Sequence, residues 1–405
     1  MQKQIHLPFF ILLLMISFAS VNAVLFTPAL PDIASFFSVS NDEAQLTVSL
    51  YLVGYAVGQL IYGPFANRFG RKPALYGGIS LQILSSLLCV AAGKLDFFPL
   101  LVVGRFFLAL GAGVGLKMTL TLVNESYDHK LASQTISYLM LAFAITPGLS
   151  VALGGILNQQ YGWMSCFYAG ALYGVFLLLL SMRLPETLKT LHYEALQLPH
   201  LIQGYKTPFQ NRRLVACGFI MGMVSSFVYV FAALAPFIAI DLSAMSSAEY
   251  GFANIIPPIG LMVGSVVSAR LATSYPLETL IRIGVIITCI GVLSMLACTL
   301  AHLPILYSLF CMMVVIYFGT TFIIANASIV AMQHVTDKAH GAAVMSFINM
   351  GTATLAVLCV SEFTVTRTLL PTVYIILGLL SIYLYKRIKV SSMSDKHLLS
   401  LSKHS

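Results

Sequence analysis

The sequence predicts an all-α membrane protein with twelve transmembrane helices in two six-helix pseudo-repeats and both termini in the cytoplasm. Three observations predict it. Of 405 residues, 59% are hydrophobic and only 9% are charged, whereas a soluble domain carries roughly 25% charged residues. So little charge does not coat a water-facing surface of this size, so lipid is the solvent for most of the chain. Second, charge-poor runs long enough to cross a bilayer, which takes about 20 apolar residues, recur along the whole chain. Third, the basic residues fall in alternate breaks between those runs, as the positive-inside rule requires of a polytopic protein.

The spans are expected at 7–28, 44–66, 74–93, 98–122, 133–158, 163–183, 214–238, 250–270, 280–300, 304–326, 340–361 and 369–385. Lys3, the run Phe9 to Ala19 and Val21-Asn22-Ala23 imitate a cleaved signal peptide. The charge-free stretch continues to Asp32, however, so it is read as the first span. Two stretches hold two spans each. No charge separates Lys130 from Arg183, where the turn is Gln159-Gln160-Tyr161-Gly162. Between Arg282 and Lys338 the break is Ala301-His302-Leu303-Pro304. All of the 22 lysines and arginines except Lys94, Arg367, Arg105 and Lys117 fall on the side that carries the termini, which makes that side cytoplasmic and the membrane the cell inner membrane.

The expected organisation is an N-terminal bundle over 1–185, a central cytoplasmic loop over 186–213, a C-terminal bundle over 214–390 and a tail over 391–405. Within the loop, 188–198 places Leu188, Leu191, Ala195 and Leu198 on one helical face. That pattern fits an interfacial helix, with a plain linker as the alternative. Two helical sextets joined this way suit a transporter whose halves rock about a midplane site.

Several function classes are excluded. The +8 net charge is not gathered on one face of a soluble domain, so nucleic acid is not an expected partner. The seven cysteines all lie in apolar runs without C-x-x-C spacing, and no two histidines stand at i, i+4 on one helix. No metal or cofactor is therefore expected. No nucleophile–base cluster indicates an enzyme. The expected partners are a small-molecule substrate and the lipid bilayer.

Charges inside spans are costly and commonly face a polar cavity. Arg105 and Lys117 lie in the fourth span. A cavity holding these cations and no acid would favour anions, carboxylates above all. They stand 12 residues apart, about 120° around the helix, so they need not share a face. The amides Asn22, Asn254, Asn326 and Asn349, with Tyr55, are further candidates for the substrate cavity; contacts between polar helices explain them equally well. Proton coupling needs a carboxylate that titrates during the cycle. No Asp or Glu sits in the middle of a span. The acidic candidates are Glu362 and Glu125, followed by Asp32.

Residues 63–75 read Gly-Pro-Phe-Ala-Asn-Arg-Phe-Gly-Arg-Lys-Pro-Ala-Leu, between spans two and three. The spacing of Gly63, Asn67, Arg68, Gly70, Arg71 and Lys72 resembles the signature loop of the major facilitator superfamily. The resemblance extends over nearly all the chain. Phe26-Thr-Pro-Ala-Leu-Pro-Asp-Ile33, Arg105 to Gly111, Pro147 with Gly154 and Gly155, Gly162-Trp163 and Pro185-Glu186-Thr187-Leu188 look like the bicyclomycin-resistance branch of drug/proton antiporters. Ser268-Ala-Arg270-Leu and Gly341-Ala-Ala-Val-Met-Ser-Phe fit it more weakly. The resemblance implies the major facilitator fold, proton-driven export of small organic molecules with protons as a further partner, a monomer as the default state, a gating role for the signature loop and an antiporter motif at Pro147, Gly154 and Gly155.

This chain departs from the branch at several positions. Val24 stands where an aspartate is usual, and Asn67 replaces the acid of the signature loop. Leu108 replaces a glutamine, Ser150-Val151 a Gly-Pro, and Met164 an arginine. An acid at 67 would pair ionically with basic partners, whereas asparagine only hydrogen-bonds. Asn67→Asp is therefore expected to favour a closed inner mouth, which cysteine accessibility there would read. The missing acids motivate an alternative function: a permease, in either direction, for an anionic metabolite such as a carboxylate or a carboxylate siderophore.

Overall fold

The computed structural model describes residues 7–188, 190–194, 196–333, 335 and 338–384. Eleven helical stretches are long and apolar enough to cross a membrane, numbered here in chain order. In the first half they are Phe9–Phe36, Asn41–Phe69, Arg71–Lys94, Phe98–Ser126, Lys130–Tyr161 and Met164–Ser181. In the second half they are Arg212–Asp241, Ser247–Leu271, Leu277–Leu300, Leu306–Met332 and His340–Val360. A shorter apolar helix, Leu369–Leu384, follows them at the position expected for a twelfth span. The terminal residues 1–6 and the tail 391–405 lie outside the described residues, as does part of the expected second bundle at 385–390.

The outward surface is apolar, as a lipid-facing belt must be when every backbone polar group is satisfied within its own helix. Leu84, Leu172 and Ile290 are each more than half exposed. Inside each half, polar side chains tie the helices together. Gln82 Nε2 of span three donates to Asn22 Oδ1 at 2.7 Å, Ser86 Oγ at 2.9 Å and the Gly170 carbonyl at 3.1 Å. Asn326 Nδ2 in span ten donates to Ser268 Oγ at 3.1 Å. In a bilayer such bonds replace the hydrophobic force that packs helices in water.

Span one is not a single straight helix. It breaks after Val24, passes a 3-10 turn at Thr27–Ala29 and resumes as Leu30–Phe36. Pro28 and Pro31 lack the N–H that would continue the ladder, so the carbonyls one turn before the break lose their helical partners. Span four also changes course, at Gly113.

The expected interfacial helix over 188–198 is corrected. Residues 190–194 are turn and coil, Ala195 lies outside the described residues, and the helix occupies Leu198–Gln210 instead. The reason is local. The chain after span six is held by polar contacts, His192 N donating to the Asn67 carbonyl at 3.0 Å. Pro199 then stands in the first turn of the helix, where proline is tolerated.

Candidate functional site: a cavity between two gates

One end of the bundle carries the basic loops, including 68–72 and the linker; it is called the basic face here. At this face the signature loop is built around Gly70, whose φ of 105° lies in the region glycine favours. A Cβ there would also stand 2.7 Å from Glu186 Oε2. The close approach has a purpose. Glu186 Oε1 accepts from Arg71 N, and Oε2 from Lys72 N, both at 3.0 Å, so a carboxylate from the end of span six caps the first turn of span three. An anion at a helix N-terminus also meets the positive end of the helix dipole. Leu188 N donates to the same carboxylate at 3.0 Å. Burial pushes the Glu186 carboxyl upward, but the backbone N–H donors of Leu188, Lys72, Arg71 and Thr187 outweigh it, and the group titrates below its ordinary value.

Arg71 is the hub of the loop. Its Nη2 lies 2.7 Å from Glu125 Oε1 at the end of span four, its Nε 3.2 Å from the same oxygen, and its Nη1 2.8 Å from Asn67 Oδ1. Thr187 Oγ1 also donates to Glu125, at 2.5 Å. Arg68 lies over the Tyr193 ring at 4.6 Å, and Lys72 Nζ reaches the Met182 carbonyl at 3.3 Å. Asn67 thus keeps a hydrogen bond where an acid would have made a second ion pair.

Behind this loop lies a cavity of about 970 Å³ between the halves. Spans two and four contribute Gly63, Asn67, Lys117, Thr121, Asn124 and Glu125 to its wall. The opposite wall comes from the linker helix through Gln203, Tyr205 and Thr207, from Asn211, and from His340 of span eleven. Tyr205 fixes the linker helix in place, its hydroxyl donating to the Leu60 carbonyl of span two at 2.7 Å while its ring lies 5.0 Å from that of His340.

The opposite face is sealed. Asn158 Nδ2 of span five donates to Asp32 Oδ2 at 2.5 Å and to Ser247 Oγ of span eight at 3.0 Å, joining the two halves. Ala248 N donates to Gln159 Oε1 at 3.2 Å, and Asn41 Nδ2 reaches Asp241 Oδ2 at 3.5 Å. Below these bonds the glycines of span five decide the packing. A Cβ on Gly155 would collide with the Ser247 carbonyl, one on Gly148 would stand 3.0 Å from the Asn254 carbonyl, and one on Gly154 would collide with the Leu25 carbonyl. Gly148 and Gly155 therefore face the other half, while Gly154 lets span five seat on the break in span one. Pro147 lies within span five, one residue before Gly148.

Of the seven residues expected to line a substrate cavity, Lys117 does so. Arg105 does not: it is buried with 1% of its surface exposed. Its Nε donates to the Thr47 carbonyl at 3.2 Å, Nη1 to Asn22 at 2.8 Å and Nη2 to Ala23 at 3.2 Å. The Phe26 and Tyr51 rings lie 3.8 and 4.3 Å from its guanidinium carbon. The carbonyls of 22 and 23 precede the proline break in span one, and Arg105 supplies the donors they lost. Asn22 and Asn326 are committed to helix contacts within their halves, Asn254 Nδ2 to the Tyr250 carbonyl at 2.9 Å, and Tyr55 is buried in the core. Asn349 lies on span eleven with its Oδ1 buried and unpaired.

The three acidic candidates part company. Glu125 is bound to Arg71 at the basic face, Asp32 belongs to the seal, and Glu362 is exposed at the sealed face beyond the end of span eleven. Sequence reasoning missed the cavity roles of Thr121, Asn124, the linker helix and His340, and the capping role of Glu186. Polar residues recurring at 117, 121 and 124 along span four were the available signal. The linker contacts had none, because they depend on how the loop folds back.

Two helical halves, sealed at one end and flanking a cavity at the other, have the form of a membrane transporter. The sequence model described as Major Facilitator Superfamily matches residues 12–359, and this chain belongs to that family. It is a multi-pass membrane transporter rather than an enzyme. An uncharacterized transporter of Rickettsia bellii is 27% identical over 60% of this chain and 60% of its own length. Multidrug resistance protein D of Escherichia coli is 28% identical over 41% of each chain. A bicyclomycin resistance protein homolog of Haemophilus influenzae is 22% identical over 65% of this chain and 66% of that one. The match thus spans about 60% of the length of the first of these relatives. Among solved structures, the crystal structure of a D-xylose-proton symporter superimposes with a TM-score of 0.76 at 15% identity, covering 93% of this chain and 96% of that one. The inward open conformation of the xylose transporter XylE from E. coli gives 0.71 at 14% identity, covering 93% and 95%. At these identities the likeness is one of fold.

Proposed function

We propose that this transporter exports small amphipathic molecules from the cytoplasm across the inner membrane, driven by proton influx. The reading takes Leu369–Leu384 as the twelfth span, and both termini and the basic face as cytoplasmic, on the distribution of lysine and arginine. One observation carries it: the cavity lies at the basic face while the opposite face is sealed, which is the state in which an exporter loads from the cytoplasm. The drug-resistance names of several relatives support the direction.

Protons arrive at the sealed face in this scheme, and Asp32 is the group placed to receive them. Its carboxylate accepts from Asn158, which also reaches across to Ser247. A proton on Asp32 weakens its acceptance and so loosens the seal. Glu125 is already neutralised by Arg71, which leaves it less fit for the task. Reconstituted vesicles with an imposed pH gradient test both parts. A neutral fluorescent amphipath should be driven uphill by the gradient in the wild type. Asp32→Asn should keep downhill exchange but lose gradient-driven accumulation. Gradient-driven accumulation that survives Asp32→Asn would reject the coupling role, and solute flux in neither direction would reject export itself.

A further inference from the structure

Lys117 is the one charge on the cavity wall that the mechanism above leaves unexplained. It lies on span four two helical turns before Glu125, about 12 Å farther into the bundle along the helix. Its stem crosses Gly63 of span two: a Cβ on Gly63 would stand 3.7 Å from Lys117 Cε and 4.0 Å from Nζ. Glu125, the acid that spans two and four bring to this wall among the described residues, is paired with Arg71 at 2.7 Å. Glu194, nearer the linker, has a partner of its own. Among the described residues Lys117 has no carboxylate partner. An unpaired ammonium at membrane depth is costly, and a lysine whose task was to reach the headgroups would point out of the bundle. This one points into the gap between the halves.

We propose that Lys117 is the specificity-determining residue of the cavity, binding a singly charged carboxylate on a transported molecule with an apolar body. The proposal rests on the cavity being the substrate site. A single ammonium is a point charge. The other cation of the lining, Arg71, is ion-paired with Glu125 and hydrogen-bonded to Asn67. One free positive charge matches one carboxylate better than a phosphate dianion. Pro64, Met118 and Leu120 supply an apolar lining for the rest of the molecule, and Asn124 stands two turns along the same helix. Gly63 leaves room for the ammonium to approach the carboxylate from span two.

The test uses three probes of one shape: 2-naphthoate, 2-naphthylmethanol and 2-naphthylmethylamine, an anion, a neutral alcohol and a cation. Equilibrium binding is measured by fluorescence on the full chain in phosphatidylcholine nanodiscs, against empty nanodiscs. Wild type should bind the naphthoate about tenfold or more tightly than the alcohol. Lys117→Gln should erase that preference while leaving the alcohol unaffected, and Lys117→Arg, which keeps the charge, should restore most of it. No preference for the anion in wild type, or a preference that survives Lys117→Gln, overturns the proposal. A preference abolished by replacing phosphatidylcholine with phosphatidylglycerol also overturns it, because a lipid phosphate is then the occupant. Flux of the same three probes separates this proposal from the export reading: export of the amine alone, indifferent to Lys117→Gln, sinks the proposal and leaves export standing. Anion binding without flux of any probe leaves the proposal standing and sinks export.

Discussion

At the scale of single residues, two cations twelve residues apart in span four have opposite fates. Arg105 has three carbonyl acceptors and two aromatic faces, so its charge is fully accommodated. Removing it leaves buried carbonyls unpaired, and Arg105→Ala should destabilise the protein by about 3 kcal/mol or more. Arg105→Lys should recover little, since a lysine lacks the planar fork that reaches three oxygens. Thermal unfolding of the purified protein in detergent measures both, and full stability in either variant would show that the carbonyls find other donors. Glu186 gives a pH-dependent prediction. Its folded carboxyl titrates below the ordinary value, because backbone donors outweigh the upward push of burial. A depressed acid contributes stability that is present above the unfolded value, about 4.3, and is lost as pH falls through the folded one. Its contribution should therefore be constant from neutral pH down to about 5 and fade only below that. Glu186→Gln should lower stability at neutral pH and flatten the acid limb of the melting curve.

At the scale of elements, the glycines of span five are informative because they differ in what they face. Gly155 and Gly148 meet the backbone of span eight across the midline, whereas Gly154 meets span one of its own half. A side chain at 155 obstructs the sealed conformation, and under the proposed transport cycle the two halves part there when this face opens. Gly155→Leu should therefore shift the population towards opening, read as faster thiol labelling of a Ser247→Cys reporter from that side. Labelling as slow as in the parent would mean that the halves do not close on this contact. The linker shows how an element is misplaced by pattern. Leu188, Leu191, Ala195 and Leu198 share a helical periodicity, yet the chain there is held by His192 N on the Asn67 carbonyl and by Glu186 bonding to Leu188 N. The first of those bonds comes from a partner more than a hundred residues away in sequence, which a local pattern does not contain. The spans themselves were legible, because their apolar length is dictated by the bilayer whatever their neighbours.

At the scale of the whole molecule, the halves are joined by few polar bonds at the sealed face, with Asn158 to Ser247 at the centre. Linking these positions covalently should stop transport without unfolding either half. In a background lacking other reactive cysteines, an Asn158→Cys, Ser247→Cys pair should lose flux on oxidation and regain it on reduction. Undiminished flux in the cross-linked protein would mean that this seam does not open during the cycle. At the basic face the capped helix and the ion pair lie within the first half, and the linker helix docks on span two through Tyr205.

The sequence by itself determined the class of solvent and placed the apolar spans, and it set the expectation of two halves and of their orientation. Composition, run length and the placement of lysine and arginine are local quantities, and the bilayer imposes them on each span separately. Only the tertiary structure decided which intramembrane charge is free. Arg105 and Lys117 are alike in sequence, two cations in one apolar helix. The proline break in span one supplies carbonyls to Arg105, while the glycine at 63 and the gap between the halves leave Lys117 without a carboxylate partner among the described residues. A charge takes its role from the groups packed around it, and those groups come from distant parts of the chain.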